Sequence, residues 1–175
     1  MVKFSTEYHR AGPTVEKLAE AIGEVHRRTG APISTHTEKG TMGHCQLDLL
    51  GKAGVPADAV ILGHIDHNPD PGLLLELADR GAYLMCDMPG RIKYAPDSQS
   101  LNLLTALVEA GHTDRILFGS DLARRSYWTN YGGGPGLSYL LTTFLPRLRA
   151  AGLDDLATCA LVTNPARAFS LRTVA

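Results

Sequence analysis

The chain has 175 residues, 44% of them hydrophobic and 20% charged, with 17 basic residues against 18 acidic ones and a formal net charge of −1. That balance suits one soluble globular domain with a sizeable core. It argues against a general nucleic-acid binder, because the basic residues are scattered rather than bunched into a stripe. No apolar stretch is long enough to span a bilayer, and MVKFSTEYHR lacks the apolar region of a signal peptide, so no membrane partner is expected.

The elements follow a rhythm in which a short apolar run ends in polar residues and an amphipathic helix comes next. VKFST (2–6) reads as the first strand. Residues 14–28 read as a helix, with Val15, Leu18, Ala19, Ile22 and Val25 at helical spacing and Gly30 closing it. APISTHT (31–37) is the second strand, and residues 44–52 form a shorter helix with Leu47, Leu49 and Leu50. The third strand (59–65) holds most of VILGHID, NPDPG then breaks the chain, and residues 73–80 form a helix stopped by Gly81. AYLMCDM (82–88) carries a carboxylate next to its end, residues 98–110 are helical, and RILFGSD (115–121) closes on Asp121. After a long polar, glycine-rich loop (122–135), residues 137–149 and 154–162 read as helices. A final short helix goes with NPARAF, where Pro165 suits a first turn.

Strands alternating with helices at this spacing predict a parallel sheet built from βα units. The strands are nearly continuous apolar runs, as expected where both sheet faces are covered. Cys45, Cys86 and Cys159 are odd in number and form no CxxC pair, so they read as reduced packing thiols of a cytoplasmic protein.

Several polar residues share one structural description. Lys3 lies in the first strand, His36 ends the second, His64 the third and Asp121 the fifth. In parallel α/β sheets the carboxyl ends of the strands are the working face. Two imidazoles and a carboxylate meeting there make a site for a divalent transition metal. A single histidine at a strand end is more often a hydrogen-bonded surface or core residue, and only the repetition brings the two readings level. His44 and Cys45, at a helix start, favour surface or packing roles, and His9, His26 and His112 are expected to be solvated. GGGPG lacks the Lys-Ser/Thr ending of a P-loop and is better read as a loop approaching other backbone. Ser120 has no GxSxG context.

PISTHT, TMGHCQLDLL, GHIDHNPD, LADRGAYLMCD, YAPD, ARRSYW, YLLTTFLPRLR and NPARAF together resemble the phosphotriesterase family of the amidohydrolase superfamily, most nearly its phosphotriesterase homology proteins. The resemblance implies a TIM-type (β/α)8 barrel with a binuclear centre, usually zinc, at the strand ends. This chain would supply strands four to eight with their helices, as the carboxyl-terminal part of a single barrel domain. A full barrel takes about 250 residues, and the His-x-His of strand one has no counterpart here.

By resemblance, His36 and His64 hold the more exposed metal, Asp121 holds the buried one and handles protons, and Lys3, carboxylated, bridges the two. An unmodified lysine ammonium has no lone pair to offer. Asp66 would stand behind the metal, holding an imidazole or passing a proton on. Arg124, Arg125, Trp128 and Tyr131 would line the substrate mouth. Cys45 stands where a glutamate is common.

The expected chemistry is metal-assisted hydrolysis of a small-molecule ester, lactone or phosphoester. The alternative is a truncated, non-catalytic remnant that binds metal weakly and associates with another chain. An open barrel exposes two strand edges, so a homo-oligomer is expected.

Overall fold

The computed structural model describes residues 1–173. Strands β1 (Val2–Thr6), β2 (Ile33–Thr37), β3 (Val60–Gly63), β4 (Tyr83–Cys86) and β5 (Ile116–Phe118) form one five-stranded sheet in sequence order. Every neighbouring pair is parallel. Each connection must therefore cross over the sheet, and a helix does so: α1 (Pro13–Thr29), α2 (Gly43–Lys52), α3 (Pro71–Asp79) and α4 (Asp97–Glu109). Beyond β5 come α5 (Leu145–Ala150), α6 (Asp154–Thr158) and α7 (Asn164–Ala168). The result is an α/β partial barrel. Among the described residues its sheet is open, with β1 and β5 as edges.

Local chemistry sets the element ends. Pro13 occupies the first turn of α1, where no intrahelical donor is needed. Gly30 closes the helix in the left-handed conformation with its N–H on His26 O, and Arg27 and Arg28 complement the dipole of the last turn. The buried side of α1 is Ala19, Ile22, Gly23 and His26, while Leu18 and Val25 are exposed. His26 corrects the expectation of a solvated ring. It is buried, with Nδ1 2.8 Å from Ala31 O.

The main core lies between the outer sheet face and the helices. Phe4, Ile33, Val60, Leu62, Leu84 and Ile116 meet Ile22, Leu50, Leu74, Leu77, Leu104, Phe144 and Leu148 there. A smaller cluster on the inner face, Ile61, Tyr83 and Leu117, is closed off by Ala168 of α7. Asn164, almost fully buried, starts α7 and donates through Nδ2 to Thr113 O and Ile116 O, both at 2.8 Å. These bonds pin the last helix to the start of β5.

Two expected helices differ from the reading. The 137–149 helix begins as a π-helix, Leu140–Phe144, before α5, and the 154–162 helix runs on through a π-helix, Cys159–Thr163, directly into α7. NPARAF is thus a continuation and not a separate helix. Both π segments sit just ahead of a proline, Pro146 and Pro165. A proline inside a helix has no N–H for the carbonyl four residues back, and its ring crowds that carbonyl. The wider π turn relieves both problems.

Candidate active site

Side chains alternate along a strand, and the register puts Lys3, Ser34, Ile61 and Tyr83 in one layer of the inner face. Two residues further along β2 the same face carries His36. His64 follows β3 and Asp121 follows β5, both in left-handed backbone, with φ of 61° and 39°. Such conformations are costly for residues with a Cβ and cluster at functional sites. The close approach of β2 and β3 depends on Gly63, where a Cβ would lie 2.4 Å from Thr35 O.

His36, His64 and Asp121 line one cavity of about 350 Å³. The two imidazoles pack edge to face, with ring centroids 4.7 Å apart. Each expected ligand already has a partner within the chain. His36 Nε2 lies 3.1 Å from Glu38 Oε2, and this hydrogen bond holds the Glu38 carboxyl below its ordinary pKa. His64 Nδ1 lies 2.7 Å from Asp87 Oδ2, at an angle off good hydrogen-bond geometry, and the carboxylate raises the imidazole pKa. Asp121 Oδ2 accepts from Arg91 at 3.0 Å.

Among the described residues, no three His, Cys, Asp or Glu side chains lie in a metal-binding arrangement. The donor set nonetheless fits a divalent ion in type. It offers two imidazoles and a carboxylate at one rim. Further polar atoms are buried beside them without hydrogen-bond partners, His67 Nε2 and Asp87 Oδ1.

Lys3 does not line this cavity. It sits exposed on the edge strand, and its Nζ donates to Thr35 O at 2.8 Å. Partial desolvation lowers its pKa, opposed by the charges of Asp87 and Asp121. Asp66 departs from the sequence reading. Its carboxylate accepts from the backbone N–H of Asp87 at 3.2 Å and of Met88 at 2.9 Å, and contacts no imidazole. Full burial, with Asp87 adding to it, pushes its pKa up to about 7. Asp87 takes the place beside the imidazole that the reading gave to Asp66. Its sequence signal was present, a carboxylate next to the end of AYLMCDM.

The mouth is also divided differently. Arg124 and Tyr127 line the cavity, while Arg125, Trp128 and Tyr131 do not. The loop folds into two 3-10 turns, Arg125–Tyr127 and Thr129–Tyr131, which have three residues per turn. Extended residues, Arg124 and Trp128, flank the first turn, and Arg125 packs over the Tyr131 ring at 4.7 Å. Gly133 meets backbone as expected, since a Cβ there would lie 2.1 Å from Ser126 O. Lys39, His67, Arg91 and Tyr94 also line the cavity. Behind the site, fully buried Gln46 donates to Thr6 Oγ1 and to His36 O, both at 2.8 Å, tying the ends of β1 and β2 to α2.

Polar side chains gathered where parallel strands end, under a cover of helices on the far face, define part of a (β/α)8 barrel with its working face at the strand carboxyl ends. The chain belongs to the phosphotriesterase family, whose family model matches residues 1–169. It is 38% identical over 155 residues to a phosphotriesterase homology protein of Escherichia coli, covering 89% of this chain and 53% of that one. It is 32% identical over 177 residues to a phospho-furanose lactonase of Mycoplasmopsis synoviae, covering 97% and 50%. The crystal structure of a lactonase from Listeria monocytogenes superposes with a TM-score of 0.95 at 37% identity, over 98% of this chain and 54% of that one. The chain thus spans about half the length of the relatives it matches. No helix among the described residues is long and apolar enough to cross a membrane.

Proposed function

We propose that the chain supplies strands four to eight of a metal-dependent hydrolase barrel that opens a lactone, ester or phosphoester bearing an anionic group. One observation carries the reading: His36, His64 and Asp121, from three different strand ends, face one cavity. They would hold the metal, zinc by family resemblance, and Lys3, which lies outside the cavity, would join them as a ligand only once carboxylated. Lowering of the Lys3 pKa by desolvation favours the neutral amine that this modification needs. The ion would supply Lewis acidity and lower the pKa of water.

The chain's own residues do the rest. Asp121 takes the proton of the attacking water. Asp87 fixes the His64 ring from behind through Nδ1, leaving Nε2 for the cavity. Lys39, Arg91 and Arg124 outnumber the acids Glu38 and Asp121 in the lining, which favours an anionic substrate. The name of the Mycoplasmopsis relative, a phospho-furanose lactonase, agrees with that preference. Among the described residues β1 and β5 stand at the sheet edges, which supports association with another chain as well.

The test measures zinc uptake and hydrolysis of γ-lactones, with and without a phosphate group, by the purified chain and by His36→Ala. Bound zinc and turnover that both fall in the variant are expected, with the phosphorylated lactone preferred. A wild-type chain that takes up no zinc and hydrolyses none of these compounds would refute the reading.

A further inference from the structure

Arg91 stands in the loop between β4 and α4, and its side chain is only 4% exposed. Its Nη2 faces three oxygens at the end of β5: Ser120 O at 2.8 Å, Asp121 O, and Asp121 Oδ2 at 3.0 Å. Its guanidinium lies over the Tyr127 ring, 4.5 Å from the centroid. Tyr127 comes from the same long loop after β5, so Arg91 ties the β4–α4 loop to that one.

Asp121 needs such a hold. With φ at 39° its Cβ is crowded by backbone, and relaxation toward an extended conformation would swing the carboxylate away from the cavity. A nitrogen that holds both the carbonyl and the carboxylate of one residue restrains its backbone and its χ1 together. Oδ2 is taken by Arg91, so Oδ1 is left for the cavity. The planar guanidinium suits this task, because it stacks on Tyr127 while donating in a fixed direction, which a lysine ammonium does not.

We propose that Arg91 is the positioning residue for Asp121: it holds that residue in its left-handed turn and aims the carboxylate at the cavity, with Tyr127 as the backstop. The consequence for metal binding rests on the functional reading above, whereas the positional claim does not.

The test uses the whole chain with Arg91→Met and Arg91→Lys. Without metal, NMR shifts of the Asp121 Cα, carbonyl and carboxyl carbons are compared with those of α2 and α3. In Arg91→Met the Asp121 shifts should leave their left-handed values while the helices keep theirs, and Arg91→Lys should restore part of the difference. Asp121 shifts unchanged in the variants overturn the proposal. Should Arg91→Met fail to fold, Arg91→Lys decides alone, displaced shifts supporting the proposal and unchanged shifts overturning it. In a second arm, Co2+ affinity should fall about tenfold in Arg91→Met and show no further fall when Asp121→Asn is already present. A full tenfold loss persisting in that background would overturn an action through Asp121. If the wild-type chain binds no cobalt, the metal reading fails and the NMR arm still decides the role of Arg91.

Discussion

Replacing Asn164 tests how the end of the chain is locked to the sheet that carries Asp121. The amide is about 1% exposed and gives both Nδ2 hydrogens to main-chain oxygens, Thr113 O and Ile116 O, at 2.8 Å. Each bond is worth about 1 kcal/mol net, and a buried carbonyl left without its donor costs about 1 kcal/mol more. Asn164→Ala should therefore destabilise by about 2–4 kcal/mol. In a chain of this size each kcal/mol lowers the melting temperature by about 2–4 °C, so a loss of about 4–16 °C is expected by circular dichroism.

Asn164→Asp keeps the shape but turns an oxygen toward the two carbonyls. At pH 7 it should be less stable than Asn164→Ala, because a buried carboxylate faces acceptors and has no donor. The new carboxyl has a folded pKa above its unfolded one, so the aspartate variant loses stability as pH rises from its unfolded value through its folded one. Toward pH 4 the protonated acid can donate one bond, and the gap to alanine should narrow. An aspartate variant equal to or better than alanine at pH 7 would show that the two carbonyls do not set the energetics of this position.

Two further outcomes can be checked by unfolding and by chemistry. Gly63→Ala forces a Cβ to within 2.4 Å of Thr35 O, so β2 and β3 must part, at a cost on the order of 3 kcal/mol; an unchanged urea midpoint would count against the close approach. Burial pushes the Cys86 thiol well above its ordinary pKa, so at pH 8 it should resist Ellman's reagent until the chain is unfolded, and prompt labelling of Cys86 in the native protein would contradict its place in the core.

The order of elements was written in local patterns, since an amphipathic helix or an apolar strand needs only its own residues to declare itself. That is why β1 to β5, α1 to α4 and the strand-end positions of His36, His64 and Asp121 could be read directly. Boundaries depend on more than local pattern. Ile65–His67, placed at the end of a strand and its turn, forms a 3-10 turn, because His64 adopts a left-handed conformation that no pattern announces. The π segments had a visible cause in Pro146 and Pro165, although the reading used only Pro165, and as a start signal.

What the sequence determined by itself was the family, the βα rhythm and the residue types offered at the strand ends. Tertiary structure alone decided which groups touch. His64 meets Asp87 and not Asp66, Asp121 is gripped by Arg91 from 30 positions away, and Arg124 with Tyr127 turns inward while Arg125, Trp128 and Tyr131 turn out. The physical reason is one of range. Periodicity reports which face of its own element a residue occupies, whereas a partner is chosen by distance and direction between neighbouring elements, set only when parallel strands lie side by side and their loops pack at one rim.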